Sequence, residues 1–290
     1  MADTETTHDA VPLYARYVAV GDSQTEGLGD GDDTTGLRGW ADRLAETLAR
    51  HNPGLRYANL AVRGRTAEQI RARQLGPALA LRPDLVTVVA GMNDLLRPRF
   101  DPDEVDVHLR AMFAAFTGQG ALVATLTFPD VARISPLARP LSPRVAALNA
   151  RVRRSAEQYG VVVAETAGHP VVTDPRLWSQ DRLHASPLGH ARIAAAVAHA
   201  LRIPGSDDSW SGPLPTAYPA PRGWRAARTE LRWAGTFLGP WLGRRLRGRS
   251  SGDGRTARRP ELLPWTTEPG HGVGVDDRSQ CRGRQRLPTP

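Results

Sequence analysis

The sequence contains no lysine: all 38 of its basic residues are arginine. A lysine-free chain rich in Ala, Arg, Gly and Pro points first to a GC-rich coding sequence, so its formal charge of +8 is not in itself a nucleic-acid signal. Cysteine is nearly absent as well. Cys281 stands alone near the C-terminus, which excludes an intramolecular disulfide and any multi-cysteine metal site. No apolar run approaches the roughly 20 residues that a membrane-spanning helix requires. The stretch from Met1 to Asp9 is acidic and polar, the opposite of a secretory signal peptide, and a cytoplasmic location is expected. Aromatic residues make up only 6%, against 28 Gly and 24 Pro, so part of the chain is expected to lie outside the core.

The 290 residues, 40% apolar and 23% charged, suit one substantial soluble domain with extensions. The basic charge is unevenly placed. Between Arg222 and Arg259 eleven arginines face two acids, Glu230 and Asp253, a net of +9 that leaves the rest of the chain near neutral. Whatever the positive charge does, it does in the C-terminal segment.

Hydrophobic periodicity predicts alternating strands and helices. After a flexible leader over 1–13, Tyr17–Val20 reads as a buried strand ending at Gly21. Helical spacing follows over Arg38–Arg50, then a second strand over Arg56–Val62 and a helix opening near Thr66. Asp84–Ala90 is the clearest buried strand and ends at Gly91. A helix over Pro102–Phe116, a strand over Ala121–Thr127 and a helix over Ser142–Tyr159 come next, the last with Ser142 and Pro143 as cap and first turn. Val161–Ala164 is a fifth strand, and Ser186-Pro187 opens a final helix to about Leu201. This alternation predicts a parallel sheet covered by helices on both faces, with the site beyond the C-terminal ends of its strands.

Four segments at those strand ends carry chemistry. Gly21-Asp22-Ser23 places a serine on a tight turn beside a helix N-terminus, where backbone N–H groups can face an oxyanion. In Arg63-Gly64-Arg65 the glycine lets a backbone N–H approach a substrate closely. Asn93-Asp94 offers a side-chain amide donor and a bracing carboxylate. Asp181-Arg-Leu-His184 places an acceptor three residues from a candidate base. Taken singly, each also reads as ordinary structure: a turn or cap, a loop glycine, an Asx turn and a surface histidine. His190, six residues beyond His184, is expected to be structural or exposed.

Taken together and in this order, Ser23, Gly64, Asn93 and the Asp181–His184 pair resemble the four blocks of the SGNH hydrolase (GDSL esterase/lipase) family. The resemblance spans about Tyr17 to Leu201, with all four blocks intact. It implies a three-layer α/β/α, flavodoxin-like fold with a five-stranded, mainly parallel sheet over residues 14–203. It further implies a serine ester hydrolase in which Ser23 is the nucleophile, His184 the base and Asp181 its orienting partner. The backbone N–H groups of Ser23 and Gly64 and the Asn93 side chain would form the oxyanion hole, supported by Asp22 and Asp94. No metal or cofactor is called for, and the substrate would be a small-molecule ester of unspecified acyl length. The alternative is a non-catalytic member of the fold, a binding or scaffolding protein recruited through its basic tail.

The proline-rich stretch Phe128–Arg144, with Val131, Ile134, Leu137 and Leu141, is either an acyl-pocket wall or a plain packing loop. Residues 204–221 carry five prolines and read as a linker or strap. In 222–249 an Arg-rich segment carries Trp224, Leu231, Trp233, Phe237, Leu238 and Trp241. The favoured reading is a strap packed on the domain, ahead of attachment to an anionic membrane surface, and no nucleic-acid partner is expected. Residues 250–290 lack periodicity and are expected to be disordered.

Overall fold

Short apolar runs that stop at Gly or Asn become strands, and longer amphipathic runs become the helices between them. The computed structural model describes residues 14–215, 223–240, 243 and 250–265. In chain order the elements are β1 (Arg16–Gly21), a helical turn α1 (Ser23–Glu26), a two-residue hairpin β2 (Gly31–Asp32) and β3 (Gly36–Leu37), and α2 (Trp40–His51). Then come β4 (Arg56–Asn59), α3 (Ala67–Ala80), β5 (Leu85–Val89), a turn α4 (Met92–Leu95), α5 (Pro102–Gly118) and β6 (Leu122–Leu126). The chain continues through α6 (Ser142–Tyr159), β7 (Val162–Ala164), α7 (Pro187–Ala200), α8 (Gly223–Trp233) and β8 (Arg259–Pro264).

The sheet order is β7-β6-β5-β1-β4-β8, with the first five strands parallel and β8 antiparallel against β4. Helices α2 and α7 pack together on one face, and α3, α5 and α6 on the other. Every residue of β5 is buried, and so is all of β1 except Arg16, as a parallel strand covered on both faces requires. The chain reverses direction across the sheet at β1, so the loops after β1, β4 and β5 converge at a topological switch point.

The strand count is a correction, six instead of five, and the extra strand falls in a region expected to be disordered. Arg259–Pro264 has prolines at 260 and 264 and no alternation, so nothing local marks it. It becomes a strand because β4 leaves an open edge: Tyr57 pairs with Leu263 and Asn59 with Arg259. Leu262 is buried there, and the Arg259 guanidinium lies 5.4 Å from the Tyr57 ring and 5.5 Å from Trp265.

Helix ends follow their sequence signals with one exception. Thr66 caps α3 through a capping box with Gln69, and Ser186 caps α7 by accepting from the Gly189 N–H. Ser142, expected to cap α6, is instead its first helical residue. Its hydroxyl donates to Asp130 at 2.6 Å, because 3-10 turns over Val131–Arg133 and Pro136–Leu141 lead directly into the helix. The leader over 1–13, residues 216–222, 241–242 and 244–249 of the expected linker and basic segment, and the tail beyond 265, Cys281 included, lie outside the described residues.

Candidate active site

The Ser23 turn is built from its neighbours. Gly21 ends β1 with its N–H donating to Gln74 Oε1 and its carbonyl accepting from Gln74 Nε2, both at 2.9 Å. A Cβ at Gly21 would sit 2.9 Å from the Val89 carbonyl, so only glycine fits between β1 and β5. Asp22 then caps α1, accepting from the Gln24 N–H at 3.2 Å, and Ser23 becomes the first helical residue, facing the cavity.

The Gly64 loop is fastened to that turn by a buried ion pair. Arg63 reaches Glu26 at 2.7 Å, and its backbone N–H donates to the same carboxylate at 2.6 Å. Gly64 itself has φ +75°, a left-handed backbone that a side chain strains.

Asn93 joins the two. Its Nδ2 donates to Asp22 Oδ2 at 2.9 Å and to the Arg65 carbonyl at 3.1 Å, which spans the serine turn and the glycine loop. Asp94 braces from behind, accepting from the Ala67 N–H at 2.9 Å at the start of α3. Burial pushes the carboxyls of both Asp94 and Asp22 up. Asp22 reaches about 6, although hydrogen bonds from Gln24 and Asn93 and the charge of His184 act in the other direction.

On the opposite side, His184 Nδ1 lies 2.6 Å from Asp181 Oδ2. The other carboxylate oxygen of Asp181 accepts from the backbone N–H groups of Leu183 (2.9 Å) and His184 (3.0 Å) and from the Ser179 hydroxyl (2.5 Å). Burial raises the Asp181 pKa, but these bonds and the His184 charge outweigh it and hold the carboxyl well below the usual range. It is therefore an ionised acceptor at any neutral pH, fixed in orientation.

A single cavity of about 1010 Å³ is lined by Ser23, Asp22, Gly64, Asn93, Asp181 and His184, while Asp94 stands behind it. The six cavity residues come from four loops widely separated in sequence. Among the described residues the Ser23 hydroxyl makes no direct hydrogen bond to His184; such contacts often tighten only when substrate binds.

Sequence reasoning missed Gln24, which connects the two halves. Its side-chain Nε2 donates to the Leu183 carbonyl at 3.0 Å and its Oε1 accepts from the Ala185 N–H at 3.3 Å, so one amide brackets His184 from the serine turn. Nothing in the local sequence distinguishes this glutamine from any exposed one. Gly29 adds a close approach, since a Cβ there would sit 2.0 Å from the Ala185 carbonyl.

His190 is buried and belongs to the framework. Its Nε2–H donates to the Leu28 carbonyl at 2.9 Å and its Nδ1 accepts from the Trp40 N–H at 3.1 Å. The Trp40 N–H requires an unprotonated Nδ1 and so the neutral ring, and burial lowers its pKa to about 4.

The loop after β6 supplies apolar lining through Phe128, Val131, Ile134 and Leu141. Leu137, grouped with them on sequence, instead points to solvent at 52% exposure, because the Pro136–Leu141 turn rotates it outward. In α8, Trp233 is buried and Phe237, just beyond it, lines the cavity, whereas Trp224 and Leu231 are exposed. Among the described residues no helix is long and apolar enough to cross a membrane, and no cluster of three or more His, Cys, Asp or Glu is placed to hold a metal.

Residues 19–192 match the GDSL-like lipase/acylhydrolase family. No curated protein matches the chain. Among solved structures, LAE5, an alpha/beta hydrolase enzyme from the metagenome of Lake Arreo, Spain, is 24% identical, with 65% of this chain and 95% of that one covered and a TM-score of 0.55. The acetylxylan esterase Axe2 from Geobacillus stearothermophilus is 20% identical, covering 64% of this chain and 94% of its own, with a TM-score of 0.55. Axe2 has also been solved as catalytic mutants with a serine or a histidine replaced by alanine. TesA is 25% identical, covering 64% and 98%, with a TM-score of 0.53. These structures share the three-layer fold, and the family match spans the four parallel strands beyond β1 together with Ser23, Gly64, Asn93, Asp181 and His184. The chain belongs to the GDSL-like lipase/acylhydrolase family and is an ester-hydrolysing enzyme of the SGNH type.

Proposed function

We propose that the protein cleaves acyl esters through a Ser23-His184-Asp181 triad and an acyl-enzyme intermediate. The observation that carries this reading is the 2.6 Å contact from His184 Nδ1 to an Asp181 carboxylate that three further donors hold in place. With Nδ1–H directed at Asp181, the other ring nitrogen is left unprotonated to act as base. His184 Nε2 takes the proton from the Ser23 hydroxyl as its oxygen attacks the ester carbonyl. The tetrahedral intermediate collapses when the same histidine protonates the departing alcohol. Water, activated by His184, then releases the acid and restores Ser23.

The oxyanion hole in this reading comprises the N–H groups of Ser23 and Gly64 and Nδ2 of Asn93. The Ser23 N–H lies at the positive end of α1, and Gly64, in its left-handed backbone, lines the same cavity. Both Nδ2 protons of Asn93 already have acceptors, Asp22 and the Arg65 carbonyl, so one is shared with the oxyanion as it forms. The Axe2 variants described as catalytic mutants, one at a serine and one at a histidine, support the same pair of roles here.

The cavity lies at the upper end of the ~300–1,000 Å³ range of small-molecule sites, and Phe128, Val131, Ile134 and Leu141 give it an apolar side suited to an acyl chain. The test is hydrolysis of p-nitrophenyl esters from acetate to dodecanoate. Ser23→Ala should lower kcat by ~10³-fold or more. Turnover by Ser23→Ala at the wild-type rate overturns the triad.

A further inference from the structure

Helix α8 lies outside the family-matched region of residues 19–192, yet it closes one side of the catalytic cavity. Its seat is specific. The Trp233 indole N–H donates to the carbonyl of Asp181 at 3.0 Å, and the Arg182 guanidinium stacks 5.1 Å from the centre of the same ring. Glu230, one turn earlier on the same face, forms an ion pair with Arg182 and also accepts from the Ser135 hydroxyl at 3.0 Å. Arg182 has φ +57°, a left-handed backbone uncommon for a side-chain-bearing residue, so α8 grips the strained link between Asp181 and His184.

Glu230 thus bridges two walls: Ser135 belongs to the apolar loop after β6, and Arg182 belongs to the catalytic loop. Glu230 and Trp233, one turn apart on α8, share a face, and the π-helical turn Ala234–Leu238 that follows brings Phe237 to the same cavity. Trp233 and Phe237 both line it, together with Phe128 and Ile134. The fixed contacts at Glu230 and Trp233 make this a built wall and not a chance overlap.

From these contacts we infer that α8 and the π-helical turn Ala234–Leu238 that continues it form the acyl-selecting wall of the site, with Phe237 the residue that sets the length of acyl chain accepted. The inference rests on the serine-esterase reading above and goes beyond it by assigning selectivity to a segment outside the family domain. The physical reason is apolar burial. Each methylene seated against the wall strengthens binding about fourfold, whereas a chain that collides with the ring gains nothing.

The experiment compares kcat/KM for p-nitrophenyl octanoate and dodecanoate in the full-length wild type, Phe237→Ala and Phe237→Trp. Removing the ring opens the wall, and the dodecanoate-to-octanoate ratio should rise about tenfold or more. The larger indole should lower that ratio by a similar factor. Circular dichroism confirms folding, and if the alanine variant does not fold, the tryptophan variant decides alone. An unchanged ratio in the folded variants overturns the inference, even where Ser23→Ala is inactive. Turnover by Ser23→Ala overturns the triad instead, so the two failures remain distinguishable.

Discussion

Two buried groups should oppose each other across the same stretch of pH. His190 is neutral in the fold and its pKa is lowered to about 4 by burial. An unfolded histidine titrates near 6.5, so the stability this group contributes is complete above about pH 6.5 and is lost as pH falls towards 4. Asp22 behaves in the reverse sense. Its pKa is raised from 3.8 to about 6, so the folded state is best served below pH 3.8 and loses stability as pH rises to 6. At 1.36 kcal/mol per pKa unit each displacement is worth roughly 3 kcal/mol, and the two nearly cancel between pH 4 and 6.5. Single variants should expose them. Relative to wild type, Asp22→Asn should gain roughly 3 kcal/mol of stability between pH 4 and 6.5, and His190→Gln should lose about as much over the same interval. Urea unfolding midpoints at half-unit steps of pH measure both, with the change across the interval as the readout, since each substitution also alters hydrogen bonds at every pH. Profiles parallel to the wild type in both variants refute the assigned burial and protonation states. Below pH 4 the wild type should weaken further, because Asp181, held ionised by His184 and its backbone donors, contributes stability that is lost on protonation.

Other outcomes follow from the hydrogen bonds around the cavity. Gln24→Ala removes both bonds that bracket His184, each worth about 0.5–1.5 kcal/mol. It should therefore lower kcat about tenfold or more and cost about 1–3 kcal/mol of urea stability; full kcat would show that the bracket does not position the histidine. Asn93→Ala should lower kcat by about 10²–10³-fold, the usual loss for one oxyanion donor. Unaltered kcat in that variant removes Asn93 from the oxyanion hole.

The sequence carried the parallel scaffold because each of its strands is a local apolar run with a turn signal behind it. Asp84–Ala90 and Ser142–Tyr159 needed no long-range information. The four chemical segments were likewise legible, since Ser23, Gly64, Asn93 and the Asp181–His184 pair each follow a strand end or precede the last helix. Their order was as informative as their residue types. Gln24 and Gln74 were invisible, because a buried bridging amide and an exposed one have the same local sequence. Leu137 was misplaced because its exposure depends on the rotation of a 3-10 turn that its prolines permit but do not orient.

The largest difference concerns the C-terminal segment. Its composition marks it as basic and aromatic, which distinguishes neither a strap nor a membrane helix. Only the tertiary structure places Trp233 on the Asp181 carbonyl and Glu230 between Arg182 and Ser135. Likewise β8 exists because β4 offers an unpaired edge, a property of the sheet and not of Arg259–Pro264. By itself, then, the sequence determined the hydrolase scaffold and marked its candidate reacting groups, whose signals are periodic and local. The tertiary structure decided which distant segment walls the cavity, because that choice depends on complementary surfaces that exist only once the domain has formed.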